Sequence, residues 1–374
     1  MSVIVEKCNE YEAIEVNKAI SQLLAPLGGM ETFVKPGHKV ALKVNLVMAK
    51  RPEEAATTHP EVVKAVAEEV LRVGGIPFII DSPGGPFYNE KGMRHIYRKT
   101  GMEAVATELG IELNWDFSEQ KVLREENLLV KSLTLIKPLL EADVIINLPK
   151  LKTHSMTTYS GAVKNLYGSV AGMKKAEYHF RMPKEEDFSN VLVDICETVK
   201  PHLHILDGII GMEGEGPTAG EPKTRGLLLA SECPYQLDWL AIQLIGLKPL
   251  QVMHLNKAEQ RGLLKDKPNV PSEISAERFR VPTSKSINFV EQWLPDFLSK
   301  PVTKFLQPNL HFSPELCVGC GHCFEACPAK ALEMREKLPQ LEQDKCIRCF
   351  CCQELCPQKA VQIRQNWITE KLFR

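Results

Sequence analysis

The chain has almost no net charge: 46 Lys and Arg against 47 Asp and Glu leave a formal balance of -1 over 374 residues. No global field of one sign therefore recruits nucleic acid or an anionic membrane. No uninterrupted apolar run is long enough to cross a bilayer, and no charged start precedes an apolar signal core, so a cytoplasmic protein is expected. Neither an early Gly-x-Gly-x-x-Gly nor a Walker loop occurs. Gly211 to Gly216 reads Gly-x-x-Gly-x-Gly, which is not a dinucleotide fingerprint, so nicotinamide and ATP are unsupported. Low-complexity tracts are missing too, and the one internal repeat lies in the cysteines.

Eight of the twelve cysteines fall in two copies of one pattern, Cys317-x2-Cys320-x2-Cys323-x3-Cys327-Pro328 and Cys346-x2-Cys349-x2-Cys352-x3-Cys356-Pro357. A four-iron cubane needs four thiolates about it; a tight loop presents three, and the fourth arrives from elsewhere. The spacing assigns Cys317, Cys320, Cys323 and Cys356 to one [4Fe-4S] cluster, and Cys346, Cys349, Cys352 and Cys327 to a second. Zinc sites seldom add a third cysteine at the same step followed by x3-Cys-Pro, and a disulfide framework would not repeat its spacing. Cys351 is surplus beside Cys352, while Cys8, Cys196 and Cys233 read as buried apolar thiols. Residues 308–374 are expected to form a small α+β ferredoxin-like domain, resembling a bacterial two-cluster ferredoxin. Reduced thiolates and oxygen-sensitive clusters suit the cytoplasm.

At roughly 100–200 residues per domain, the chain holds two or three units. Residues 1–262 alternate short apolar runs with helical patterns, which predicts an α/β domain with a parallel or mixed sheet and helices on both faces. Strands are expected at Val40–Val47, Ile76–Asp81, Val144–Leu148, Leu203–Leu206 and Gly226–Ala230. A helix over Pro60–Val73 has Thr57 or Thr58 as its cap, Pro60 in its first turn and Gly74-Gly75 as its stop. Further helices are expected at Leu192–Val199 and Leu237–Ile245. Residues 263–307 read as a proline-punctuated connector. Its Phe289, Val290, Trp293, Leu294, Phe297 and Leu298 fit a short amphipathic helix bracing one domain on the other.

Ligands of such folds bind beyond the carboxyl ends of the strands, and here those ends are polar and glycine-rich. Lys43 and Asn45 close the first strand, Asp81 follows the second, and Asp207 opens a glycine-rich loop that includes Glu213. The stretch Lys150 to His179 follows the third strand as a basic loop, and Ser160-Gly161 opens a helix through Val170 whose N-terminal N–H groups favour an anion. A histidine there transfers protons near neutral pH, and an aspartate serves as acid, base or turn cap. The expected catalytic residues are His154, Lys164, Lys152, Asp81 and Asp207. Lys43, Asn45, Lys150, His179 and Glu213 are expected to bind a small anionic substrate.

The runs ADVIINLPKLKTH, SGAVKNLYG and LDGIIGMEGEGP, together with the fused ferredoxin, resemble domain-of-unknown-function family 362. That resemblance implies a redox-linked role in anaerobic bacteria and archaea and supplies no settled reaction. The segment ADVIINLPKLKTHSMTTYSGAVK is also similar to the N-terminal domain of the nickel-pincer lactate racemase family. This second likeness implies that His154 transfers protons, that Lys164 carries the pincer cofactor and that His179 ligates nickel. Gly161-Ala162-Val163-Lys164 stands where that family has Gly-Gly-Arg-Lys, and the racemases carry no ferredoxin. The expected function is an iron–sulfur oxidoreductase passing single electrons from two clusters to an anionic substrate or cofactor in the crevice, with a redox partner protein. The alternatives are a non-enzymatic electron-transfer subunit docking a partner, and a racemase- or dehydratase-like enzyme with a metal or pincer at Lys164 and His179.

Overall fold

The computed structural model describes residues 3–285 and 308–364. The strands of the first segment are β1 (Ile4–Lys7), β2 (Lys39–Lys43), β3 (Ile76–Ile80), β4 (Glu112–Leu113), β5 (Glu119–Leu123), β6 (Ser132–Ile136), β7 (Val144–Asn147), β8 (Lys150–His154), β9 (Thr158–Ser160), β10 (Leu203–Glu213) and β11 (Glu221–Ser231). All but the β5–β6 hairpin join one mixed sheet of nine strands, ordered β1-β11-β10-β7-β2-β3-β4, with β8 lying along β10 and carrying β9. β2, β3, β4, β7 and β10 run parallel, and β11 is antiparallel to both neighbours. Side chains alternate along a strand. Val40 and Leu42 therefore enter one core with the helices Ala13–Leu24 and Pro60–Arg72, while Ala41 enters the other with Glu185–Val199 and Pro234–Leu244.

The stretch from Lys150, expected as a loop, is a strand. Pro149 has no N–H to give a ladder, so β7 ends before it and β8 restarts after it. β10 pairs Leu203 and His204 with β7, then Asp207 and Met212 with β8, which carries it well past its expected end at Leu206. The two-residue alternation sets Lys150, Lys152 and His154 on one face of β8.

The helix Pro60–Arg72 is capped by His59 rather than by a threonine; its Nδ1 accepts the Glu61 N–H at 3.3 Å. Thr58 ties two strand exits together instead, accepting the Asn45 N–H at 2.9 Å and donating to the Leu148 carbonyl at 2.6 Å. The expected helix through Val170 is one turn, Ala162–Asn165, followed by a tighter turn over Leu166–Ser169.

Residues 308–364 form two antiparallel strand pairs, Asn309–Phe312 with Val361–Arg364 and Leu332–Arg335 with Leu338–Leu341, and two short helices, His322–Glu325 and Cys351–Glu354. The repeat is visible in the backbone. Gly319 and Arg348, Gly321 and Phe350, and Lys330 and Lys359 occupy equivalent places and all have positive φ. The Ala331 and Ala360 N–H groups donate to the sulfurs of Cys327 and Cys356 at 3.3 and 3.2 Å. Of the connector, Leu264, Ile274 and Phe279 pack on the α/β core. The amphipathic helix expected from Phe289 to Leu298 lies outside the described residues. Among the described residues, no helix is long and apolar enough to cross a membrane.

Candidate functional site

The ends of β2, β3 and β8 open into a crevice, the place where ligands of such folds bind. Asn45 enters it after β2, Asp81 to Gly85 after β3, and Lys152 and His154 from β8. Lys164 and Tyr167 come from the turns after β9, and Lys175 and His179 from the helix Lys174–Arg181. Ala326, Cys351, Glu354 and Leu355 of the ferredoxin-like segment form a further wall. That segment is clamped down by Thr218 Oγ1 donating to the Glu354 carbonyl at 2.7 Å and by Gln353 Nε2 donating to the Glu215 carbonyl at 2.8 Å. Gly85 fits there because its φ is +68° and a Cβ would lie 2.8 Å from Leu355 Cδ1. The crevice is therefore shared between the two segments, not made by the α/β region alone.

Two expected site pairs are structural. Lys43 meets Asp81 at 2.7 Å with both side chains buried, and Asp81 also accepts the Leu46 and Ser82 N–H groups. Asp81 borders the crevice, whereas Lys43 is not among its lining residues. Gly168 packs directly on this pair, since a Cβ would fall 2.2 Å from Asp81 Oδ1. Lys150 and Asp207 pair at 2.7 Å in complete burial, with Tyr11 Oη and the His59 N–H also donating to Asp207. Neither residue reaches the crevice. The extension of β10 is the reason: Asp207 sits inside the strand instead of at its end. Glu213 is also away from the crevice, bound to Arg280 at 2.7 Å and Lys223 at 3.5 Å.

The residues that do converge form an unusually cationic lining. Lys152 Nζ donates to Asn45 Oδ1 at 2.7 Å and the Ala56 carbonyl at 2.6 Å. Lys175 Nζ donates to Ser82 Oγ and to the Ser82, Pro83 and Val170 carbonyls. Lys164 Nζ lies 5.6 Å from the centre of the Tyr167 ring. Burial lowers all three amines, Lys152 and Lys175 to about 7. His179 stacks on Phe188 at 4.3 Å, and burial pushes it down to about 3, so it is neutral. His154 Nδ1 accepts the Met156 N–H at 3.1 Å, and its Nε2 is 3.9 Å from Glu354.

Sequence reasoning placed Lys175 in the basic stretch Lys150 to His179 without giving it a role, and passed over Tyr167 and Glu354. Lys175 was legible, because it stands four residues before His179 and so shares its helical face. The expected anion at the N-terminus of the helix is displaced by a side chain. Asp238 accepts the Ala162 and Val163 N–H groups at 2.7 and 2.9 Å, and Tyr159 Oη donates to it at 3.0 Å. Asp238→Ala should therefore cost about 1–2 kcal/mol, the scale of a lost cap, read as a lower urea midpoint. An unchanged midpoint would mean that water replaces the carboxylate.

Two further cavities collect the patterned cysteines. One is lined by Cys317, Cys320, Cys323 and Cys356, the other by Cys327, Cys346, Cys349 and Cys352. Among the described residues, no group of three or more His, Cys, Asp or Glu could hold one metal ion. A single zinc would draw four sulfurs to about 2.3 Å from one point, whereas a cubane spreads them over separate irons. Four patterned thiols per cavity are the donor set that a cubane takes. Cys351 lines both the second cavity and the crevice.

A family model described as a domain of unknown function (DUF362) matches residues 40–243, and one described as a 4Fe-4S dicluster domain matches residues 309–357. A thylakoid-associated protein of Synechocystis sp. is 38% identical over 263 residues, covering 70% of this chain and 80% of the relative. A crystal structure of a Thermotoga maritima protein is similar at 14% identity and a TM-score of 0.34, over 58% of this chain and 55% of that one. A likeness that low carries no argument. The family match spans more than half of the sequence and the Synechocystis relative is matched over most of its length, so the chain belongs to the DUF362 family, with a 4Fe-4S dicluster domain following the family's own region.

Proposed function

We propose that this protein is an iron–sulfur oxidoreductase that exchanges single electrons with a small anionic substrate or cofactor held in the crevice. Cys317, Cys320, Cys323 and Cys356 would hold one [4Fe-4S] cluster, and Cys346, Cys349, Cys352 and Cys327 the other. One observation carries the reading: Cys351 lines both the crevice and the cavity of the second thiol set, so a single residue separates the two. When bound, the clusters would supply one-electron chemistry. Lys152 and Lys164 would hold the anion, and His154 would move a proton at Nε2, beside Glu354. Cytoplasmic residence belongs to this reading; cell fractionation tests it against the thylakoid association of the Synechocystis relative.

The test is anaerobic re-oxidation of the reduced, reconstituted protein by fractionated small organic anions, followed by cluster absorbance. At least one fraction should re-oxidise the parent. His154→Ala should slow that step by ~10²–10⁴-fold, the usual contribution of a positioned acid or base, without changing the absorbance. Equal rates in parent and variant would remove the crevice from the reaction. If no fraction reacts, the electron-transfer-subunit reading gains. Leu316, Val318 and Phe324 favour that rival: all three are exposed apolar side chains around the exposed Cys320, where a partner protein could dock.

A further inference from the structure

Three lysine amines line one crevice, and the carboxylates around them are too few to pair with each. Lys152 is 1% exposed, and Lys164 and Lys175 are each 8% exposed. Among the described residues, no carboxylate pairs with any of the three. Asp81 is committed to Lys43 at 2.7 Å and to two backbone N–H groups. Glu354, the other carboxylate on the lining, lies nearest to His154 at 3.9 Å. Three amines thus face one available carboxylate, and when all three are protonated two positive charges are left uncancelled by side chains in a largely buried space. Burying an unpaired ion costs several kcal/mol, so such an arrangement is stable in its charged form only when an anion completes it.

Hydrogen-bond capacity says where that anion sits. An ammonium has three donors. Lys175 has more acceptors than donors, so none of its N–H groups is open. Lys152 uses two, on Asn45 and Ala56, and keeps one. Lys164 has no hydrogen bond or ion pair among the described residues and lies over the Tyr167 ring, so all three of its donors are open.

Resting on the reading of the crevice as a ligand site, we propose that the ligand is a doubly charged oxyanion, a phosphate-like group or a dicarboxylate, gripped between Lys164 and Lys152. Lys175 adds its charge without a contact. A singly charged carboxylate would leave one buried cation uncompensated and so binds more weakly.

Calorimetric titration of the oxidised, cluster-reconstituted full-length protein with sulfate, malonate and acetate at constant ionic strength tests this. Sulfate or malonate should bind saturably at one site, with acetate at least about tenfold weaker, as expected for one lost charged hydrogen bond. The better of the two dianions separates a tetrahedral from a dicarboxylate ligand. Lys164→Gln should weaken the dianion by about tenfold or more and erase the preference over acetate, whereas Lys164→Arg should keep the preference. Unchanged cluster absorbance and circular dichroism show that the variants are folded. Should Lys164→Gln fail to fold, Lys164→Arg together with the parent's own preference still decides. Equal affinity for acetate, no saturable dianion binding, or dianion binding indifferent to Lys164→Gln overturns the proposal. No electron moves in this titration. A missing dianion preference therefore leaves the redox reading standing, while dianion binding without substrate-linked re-oxidation of the clusters removes the redox reading alone.

Discussion

Cys327→Ala should lose the cluster whose other thiols are Cys346, Cys349 and Cys352, and keep the one held by its nearer neighbours in sequence. The parent, reconstituted without oxygen, should contain about eight irons and eight acid-labile sulfides; this variant, and Cys356→Ala likewise, should retain about half. The two variants should differ in which cluster survives, and reduced-state electron paramagnetic resonance distinguishes them. The reason is geometric. Cys327 lines the cavity of the second cysteine run, and Cys356 that of the first, so each run would lend its fourth thiol to the other. Cys351→Ser should leave the iron content unchanged, because four other thiols already line that cavity. Zinc in place of iron in the parent, or loss from Cys327→Ala of only the Cys317, Cys320 and Cys323 cluster, would overturn the assignment.

Asp207→Ala should be among the most damaging single changes outside the clusters, at about 3–5 kcal/mol, the usual cost of removing one partner from a buried ion pair. Asp207 is fully buried and receives hydrogen bonds from Lys150 Nζ, Tyr11 Oη and the His59 N–H at 2.7, 2.8 and 2.9 Å. Its removal strands the Lys150 ammonium where water cannot reach it. The double variant Lys150→Met with Asp207→Leu should recover most of the loss, since apolar replacement of a buried pair is often near neutral. Denaturation in urea reads both effects. A single-variant loss below about 1 kcal/mol, or no recovery in the double variant, would mean that water solvates the pair.

The iron–sulfur character of the C-terminal region was legible from spacing. A cubane accepts few ligand spacings, and the two Cys-x2-Cys-x2-Cys-x3-Cys-Pro runs record the geometry directly. The layered α/β architecture was legible as well, because a strand covered on both faces is apolar throughout and contrasts with the amphipathic helices that cover it. The crevice was readable only in part. Lys150, Lys152 and His154 carry the two-residue period of a strand, yet their polarity made them look like a loop; a polar strand is tolerated because β10 satisfies its backbone and Asp207 and Asn45 satisfy its side chains.

The composition and spacing of this chain by themselves determined that its C-terminal part carries a 4Fe-4S dicluster region and that the rest is a layered α/β fold, because both depend on local pattern. Which of the basic residues are paired was decided only by the tertiary structure. Lys43 and Lys150 look like Lys152 and Lys164 in sequence, and only the packing of Asp81 and Asp207 against the first two neutralises them. The same holds for Cys351 and Glu354, which enter the crevice from a segment almost two hundred residues beyond β8. Charge compensation and burial act through space, and the order of residues along the chain does not encode them locally.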